Sequence, residues 1–108
     1  MDKKKILQAY LFAALWTAEL DARDLKEITS ASKKKAIEDI NSFIKKAGTL
    51  LEGMEESQIG HDFWLSRNHH GAGFFDRGLG KIGDKLQDLS QEFVELNVFD
   101  EGKIIIIE

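Results

Sequence analysis

The residues best suited to chemistry in this 108-residue chain lie close together, between positions 60 and 80. They supply imidazole and carboxylate groups, which form general acid–base pairs and metal sites with nitrogen and oxygen ligands. These residues are His61, Asp62, His70 and Asp76. All three histidines lie here, but their spacing matches no metal-ligand signature. We therefore predict no metal and no cofactor, and keep a small hydrolase or metal-dependent enzyme as an alternative.

Two arginines and a glycine-rich turn give the same segment groups that bind anions. If Arg67 and Arg77 converge, they can hold a carboxylate or a phosphate through paired hydrogen bonds. The backbone N–H groups from Gly71 to Gly73 can form a small anion-binding nest. A single Gly-Ala-Gly is much shorter than a phosphate-binding loop, so this signal alone is weak.

A structural role explains many of these residues equally well. We expect Gly71, Gly73, Asp62 and Asp76 to form and fix a turn. The two carboxylates would pair with the arginines and accept hydrogen bonds from turn amides. In the same interpretation the aromatic and aliphatic residues of the segment are core residues, namely Phe63, Leu65 and Phe74.

Aromatic and arginine side chains on a loop are also typical of protein interfaces. If this surface binds a partner, we expect the contacts to come from six residues of the segment. They are Trp64, Arg67, Asn68, His70, Phe75 and Arg77.

Residues 61–77 read His-Asp-Phe-Trp-Leu-Ser-Arg-Asn-His-His-Gly-Ala-Gly-Phe-Phe-Asp-Arg. This stretch resembles a family of small bacteriophage- or prophage-encoded proteins of unknown function, whose motif reads HDFWLTRNGHGAGFWDR. The chain departs from it at Ser66, His69 and Phe75. A histidine in place of the glycine counts against a need for glycine geometry at position 69. The resemblance implies a phage or prophage product that acts in the bacterial cytoplasm.

Charge and cysteine content exclude several classes of protein. The chain has no cysteine, so disulfides, thiolate metal sites and cysteine nucleophiles are excluded. Residues 1–54 carry ten Lys or Arg against eight Asp or Glu, and residues 55–108 carry five against eleven. This balance makes a nucleic-acid partner unlikely. It leaves an acidic DNA mimic as a further alternative, with a stripe of four carboxylates at Asp84, Asp88, Glu92 and Glu95.

The hydrophobic pattern predicts one domain, 1–108, of the α+β class. Three helices, over residues 6–18, 31–47 and 79–92, pack on a small antiparallel sheet. The sheet contains a C-terminal β-hairpin, 94–99 and 103–107, and its best third strand is 61–67. Ser30 or Ser32 would cap the second helix, and Gly48 would end it.

The C-terminal strand suggests a homodimer, and the N-terminal apolar run argues against a membrane span. Four consecutive isoleucines, 104–107, suit a covered strand or an edge strand, so we keep a homodimer through the C-terminal strand as a hypothesis. The apolar run 6–20 is too short and too polar to span a bilayer. With the phage origin that the resemblance implies, we expect a cytoplasmic interaction protein that binds a host bacterial protein.

Overall fold

A computed structural model describes residues 1–108, apart from the side chains of Ala22 and Arg23. Within this description, four α-helices linked by 3₁₀ turns precede one antiparallel hairpin, which is an α+β fold with one helix more than predicted. The helices are α1 (Lys3–Thr17), α2 (Ser30–Ala47), α3 (Glu56–Arg67) and α4 (Lys81–Ser90). The strands are β1 (Val98–Asp100) and β2 (Ile105–Ile107), and the 3₁₀ turns are Ala22–Glu27, Gly48–Leu51 and Phe74–Asp76.

Helix α3 occupies the segment in which the sequence predicts a third strand, so that prediction is wrong. A helix that is apolar on one face shows a period of 3.6 residues, but a helix buried on every side does not. The C-terminal half of helix α3 is of the second kind, because its last six residues are all buried. Its buried residues are Ile59, Gly60, Asp62, Phe63, Trp64, Leu65, Ser66 and Arg67.

Helices α1 and α3 pack closely against each other at Gly60. A Cβ atom at this position would overlap the Ile6 carbonyl oxygen and lie 2.9 Å from the Tyr10 nitrogen. Such an approach of two helix backbones requires the missing side chain of glycine. Gly60 therefore allows α3 to lie against the centre of α1.

An aromatic cluster fills the core between α2 and α3. Phe43 stacks on Phe63 with ring centroids 4.3 Å apart. The ring centroid of Phe74 lies 5.6 Å from that of Phe43. Phe93 meets the Phe63 ring edge-on at 5.1 Å. The prediction that Phe63, Leu65 and Phe74 are core residues is confirmed, because all three are buried.

The C-terminal hairpin is confirmed, with both strands shorter than predicted. Ile105 and Ile107 face the core, and β2 pairs with β1 through Phe99 and Ile106. The outer edge of β2 is bonded within the chain, because the Thr29 N–H donates to the Ile105 carbonyl and the Ile107 N–H donates to Ser32 Oγ.

This bonding replaces the predicted third strand and bears on the predicted homodimer. Residue Ile28 forms an isolated parallel bridge with Ile105, so the α1–α2 connection supports the hairpin. A second copy that added to the C-terminal strand would have to displace these bonds or pair with β1 instead.

The ends of α2 differ in part from the prediction. Thr29, rather than Ser30 or Ser32, is the N-cap, and its Oγ1 accepts from the Ser32 N–H at 3.2 Å. Gly48 ends the helix with φ +53°, as predicted. Among the described residues, no helix is both long enough and apolar enough to cross a bilayer.

Candidate functional site

Arg67 is a core residue, which corrects its prediction as a partner contact. Its side chain is 1 % exposed, and its guanidinium donates to Asp39 Oδ2 at 2.8 Å and to the Tyr10 hydroxyl at 3.1 Å. It also donates to the Val94 carbonyl at 2.6 and 3.1 Å. Arg67 thus ties α1, α2 and the segment after α4 to α3, and it does not converge with Arg77.

Tyr10 senses this buried environment. Burial raises the pKa of Tyr10 to about 12, an effect that the nearby Arg67 charge opposes. A tyrosine whose pKa is higher in the folded state stabilises the fold fully below its unfolded pKa of about 10. That stabilisation is lost as the pH rises from about 10 to 12.

We therefore expect alkaline unfolding that coincides with Tyr10 ionisation. Tyr10 is the one tyrosine of the chain, so tyrosinate absorbance reports on this residue alone. Absorbance and circular dichroism should change together above pH 10. Ionisation of Tyr10 near pH 10 with the helical signal intact would show that the hydroxyl is not buried.

Trp64 and Asn68 also have structural roles. Trp64 is 1 % exposed, and its indole N–H donates to Thr17 Oγ1 at 2.9 Å, so it cannot contact a partner directly in this conformation. Asn68 donates to the Trp64 carbonyl at 2.9 Å and accepts from the Leu96 N–H at 2.7 Å. These bonds join the end of α3 to the segment that leads to the hairpin.

Asp62 and Arg77 form the ion pair that fixes the loop after α3. The Asp62 carboxylate is fully buried and accepts three hydrogen bonds from Arg77, at 2.8 to 3.2 Å. These bonds raise the pKa of Arg77 above its already high value. His61 Nδ1 lies 3.5 Å from the same carboxylate. Asp62 lies on helix α3 rather than in the turn, and Arg77 connects it to the turn.

The glycine-rich turn is held by the bonds that a structural role requires. The Gly73 N–H donates to Asp76 Oδ1 at 3.0 Å, and the Phe74 N–H donates to Ser66 Oγ at 3.2 Å. Gly73 has φ +129°, and a Cβ there would overlap Ser66 Oγ. Gly71 also has a positive φ, of +72°. The Gly73 amide is therefore engaged by Asp76 and is not free to bind an external anion.

Helix α3 ends in a Schellman motif with His69 in the left-handed position. The His70 N–H donates to the Leu65 carbonyl at 3.1 Å, and the His69 N–H donates to the Ser66 carbonyl at 3.4 Å. His69 has φ +55°, a conformation that glycine adopts most easily. The histidine was expected to count against a need for glycine geometry at position 69, but the backbone adopts that geometry there.

Replacing His69 with Gly should stabilise the protein. The left-handed conformation costs a residue with a Cβ about 1–2 kcal/mol, and the greater freedom of unfolded glycine offsets part of this. The exposed His69–Glu95 contact, at 3.4 Å, contributes little. We expect His69→Gly to raise the free energy of unfolding by about 0.5–1 kcal/mol in urea denaturation.

The neighbouring His70 provides the matched control. It does not have a positive φ, so His70→Gly should lower stability through the entropy of the unfolded chain. The same sign of change in both variants would contradict the assigned geometry at position 69.

Two clefts meet at His61 and Arg77. The first has a volume of about 970 Å³ and lies along α1, and the second, of about 410 Å³, lies between the end of α1 and the glycine-rich turn. Both are lined by His61 and Arg77. The second is also lined by His70 and Asp76. The structure thus brings together the predicted residues His61, His70, Asp76 and Arg77.

Large aromatic side chains lie exposed around these clefts. Trp16 is 60 % exposed and its ring centroid lies 6.2 Å from that of His61, while Phe12 is 43 % exposed and lines the first cleft. Phe75, in the turn beside Asp76 and Arg77, is 45 % exposed. We call the surface formed by Phe12, Trp16, His61, His70 and Arg77, which line the two clefts, the aromatic face.

Phe12 and Trp16 lie on α1, outside the segment that supplies the predicted site residues. Both are exposed, whereas Ala13 between them is buried. The apolar residues of α1 cover more of its surface than one neighbouring helix can bury. This excess is the sequence signal that could have identified Phe12 and Trp16.

The structure also bears on the alternative hypotheses. Among the described side chains, no group of three or more His, Asp or Glu residues is placed to hold a metal ion. Helix α4 ends at Ser90, so Glu92 and Glu95 are not on the helical stripe that the DNA-mimic hypothesis requires. Glu92 instead pairs with Lys46 at 3.4 Å. The predicted acidic stripe is therefore interrupted.

In comparisons with known proteins, no family model, no curated protein and no solved structure matched this chain.

Proposed function

We propose that this chain is a small phage-encoded protein that binds a host bacterial protein in the cytoplasm and alters its activity, in host takeover or counter-defence. The aromatic face is the binding surface in this proposal. The phage origin rests on the resemblance of residues 61–77, and the binding role rests on the structure of the surface. Catalysis is not needed for this role.

The observation that carries the proposal is the exposure of two large aromatic rings, Phe12 and Trp16, at clefts that Arg77 also lines. Both rings are more than two-fifths exposed. Tryptophan and arginine are enriched among the residues that dominate binding energy at protein interfaces. Exposed apolar surface in contiguous patches is typical of interaction sites. Arg77 is held in place by Asp62 and so presents a preorganised charge.

Capture from bacterial lysate with matched variants tests this proposal. The tagged wild-type protein should retain a specific host protein, and Phe12→Ser and Trp16→Ser should each lose most of it. Phe99→Ser is the control, because Phe99 is 42 % exposed on β1, close to the value for Phe12. All three variants should keep their melting temperature within a few degrees, since exposed substitutions change stability by about 0.5 kcal/mol.

Two results would contradict the proposal. One is capture of the same host protein by Trp16→Ser and wild type in equal amounts. The other is an equal loss of capture in Phe99→Ser, which would indicate non-specific binding by exposed aromatic groups rather than a defined surface.

A second candidate function is a small hydrolase that uses the 410 Å³ cleft, because His61, His70 and Asp76 line it together. An imidazole beside a carboxylate can act as a general base, and Arg77 can stabilise negative charge. Asp62 would orient Arg77 rather than act as a base, since the Asp62 carboxylate already accepts hydrogen bonds from Arg77. Hydrolysis of ester and phosphoester substrates that disappears in His70→Ala, with unchanged melting, would support this candidate. Equal rates in wild type and His70→Ala would exclude it.

A further inference from the structure

A third cleft lies beside the 970 Å³ cleft along α1, and no residue of the aromatic face lines it. It has a volume of about 350 Å³, and both clefts are lined by Gln8 of α1 and Leu25 of the Ala22–Glu27 turn. We call the two clefts together the α1 trough. Its apolar lining comes from Leu7, Ala9, Leu11, Phe12 and Leu25.

The charges along the α1 trough all have one sign. Four lysines line it, and Arg77 lies at one end. Among the described side chains, no Asp or Glu lines either cleft, and none of these lysines forms an ion pair. The lysines are Lys4, Lys5, Lys26 and Lys33. This local charge is opposite to the net charge of −4 for the whole chain.

The carboxylates close to Leu25 in sequence do not change this sign. Asp24 and Glu27 lie on the same turn as Leu25, but neither lines the trough among the described side chains. Asp24 Oδ2 instead accepts the Asp21 N–H at 3.0 Å. Asp62 neutralises Arg77, so the trough combines an apolar floor with a rim of four lysines that form no ion pair among the described side chains.

We infer that the α1 trough binds an acidic amphipathic helix of the partner protein. From Lys4 to Phe12 the trough follows α1 for about 12 Å, the length of two helical turns. A helix that docks in a groove places apolar side chains at steps of three and four residues into the floor. Its flanking carboxylates would then meet the lysines of the rim. This inference rests on the proposed function and specifies the chemistry of the partner.

Selection from a random library of 12-residue peptides tests the inference without knowledge of the partner. The wild-type protein should enrich peptides with apolar residues at i, i+3 or i+4, and i+7 and with a negative net charge. For an enriched peptide, Lys4→Glu/Lys26→Glu should reduce the association rate about tenfold at low salt, because rim charges act mainly on association. Lys45→Glu/Lys103→Glu, which reverses two exposed lysines elsewhere, should leave the rate unchanged.

Vesicles of phosphatidylserine and phosphatidylcholine form the second arm, because a basic surface with exposed aromatic groups also suits an anionic membrane. Vesicle binding without peptide enrichment overturns the inference, as does enrichment of neutral or basic peptides. Equal association rates for the two double variants also overturn it. If lysate capture still depends on Trp16 in any of these cases, the proposed function stands and only the acidic helix is excluded.

Discussion

Arg67→Met is expected to lower the free energy of unfolding by about 3–5 kcal/mol, the cost of removing one partner from a buried ion pair. The change leaves Asp39 with a single cationic partner, Lys35 at 3.0 Å, in a site where the Asp39 side chain is 8 % exposed. It also removes both hydrogen bonds to the Val94 carbonyl. Equilibrium denaturation in urea, followed by circular dichroism, measures the loss.

Lys35→Met is the matched control for this prediction, because Lys35 contacts the same carboxylate from a side chain that is 53 % exposed. Its removal should cost at most about 1 kcal/mol. In the double variant Arg67→Met/Asp39→Leu, much of the lost stability should return, since no unpaired charge stays buried. Equal losses for Arg67→Met and Lys35→Met would show that Arg67 is not in the core.

Gly60→Ala should destabilise the protein by about 3 kcal/mol, the upper part of the range for overpacked interiors. The sign is informative, because alanine at an exposed position inside a helix stabilises it by about 1 kcal/mol relative to glycine. Here the added methyl group would overlap the Ile6 carbonyl oxygen. Backbone atoms of a packed helix cannot rotate away as a side chain can, so α1 and α3 would have to separate.

Ser57→Ala on the same helix is the control for Gly60→Ala. Ser57 is exposed one turn earlier on α3, so its replacement should change stability by no more than about 0.5 kcal/mol. Thermal denaturation of both variants compares the two positions. Stabilisation by Gly60→Ala would contradict the close packing of α1 on α3.

Much of the fold could be predicted from local patterns. Helices α1, α2 and α4 each leave one side in contact with solvent, so their apolar residues recur at helical spacing. The hairpin could be predicted because a Gly-containing turn separates two apolar runs. Helix α3 could not be predicted in this way. Its C-terminal half is buried on every side, so it lacks the alternation of apolar and polar positions that reveals a helical period.

The candidate site divides into predictable and unpredictable parts for a related reason. The bond of Asp76 to Gly73 joins residues three positions apart in one turn, and turn chemistry predicts it. The pair of Asp62 with Arg77 joins α3 to that turn, and the opposite charges within one short segment suggest it. The pairing of Arg67 with Asp39 spans 28 residues and depends on how α2 and α3 pack. A single sequence does not show how two helices pack, so it cannot place Arg67 beside Asp39. The sequence therefore favours a surface position for Arg67.

The segment 61–77 therefore combines two kinds of residue. Trp64 and Arg67 organise the core and the loop, and their replacement should affect stability first. His70 and Phe75 lie at the surface, and His70 shares a cleft with Trp16 of α1, which belongs to no motif. In our account, the motif builds the scaffold, and the binding surface is shared between its exposed part and Phe12 and Trp16.

Site-specific photo-cross-linking tests this central claim most directly. Benzoylphenylalanine placed at position 16 should form a covalent adduct with a host protein in bacterial lysate, and the same group at the exposed position 99 should not. Both proteins should melt at the wild-type temperature. A host adduct formed from position 99 and absent from position 16 would contradict the claim that the aromatic face binds the partner.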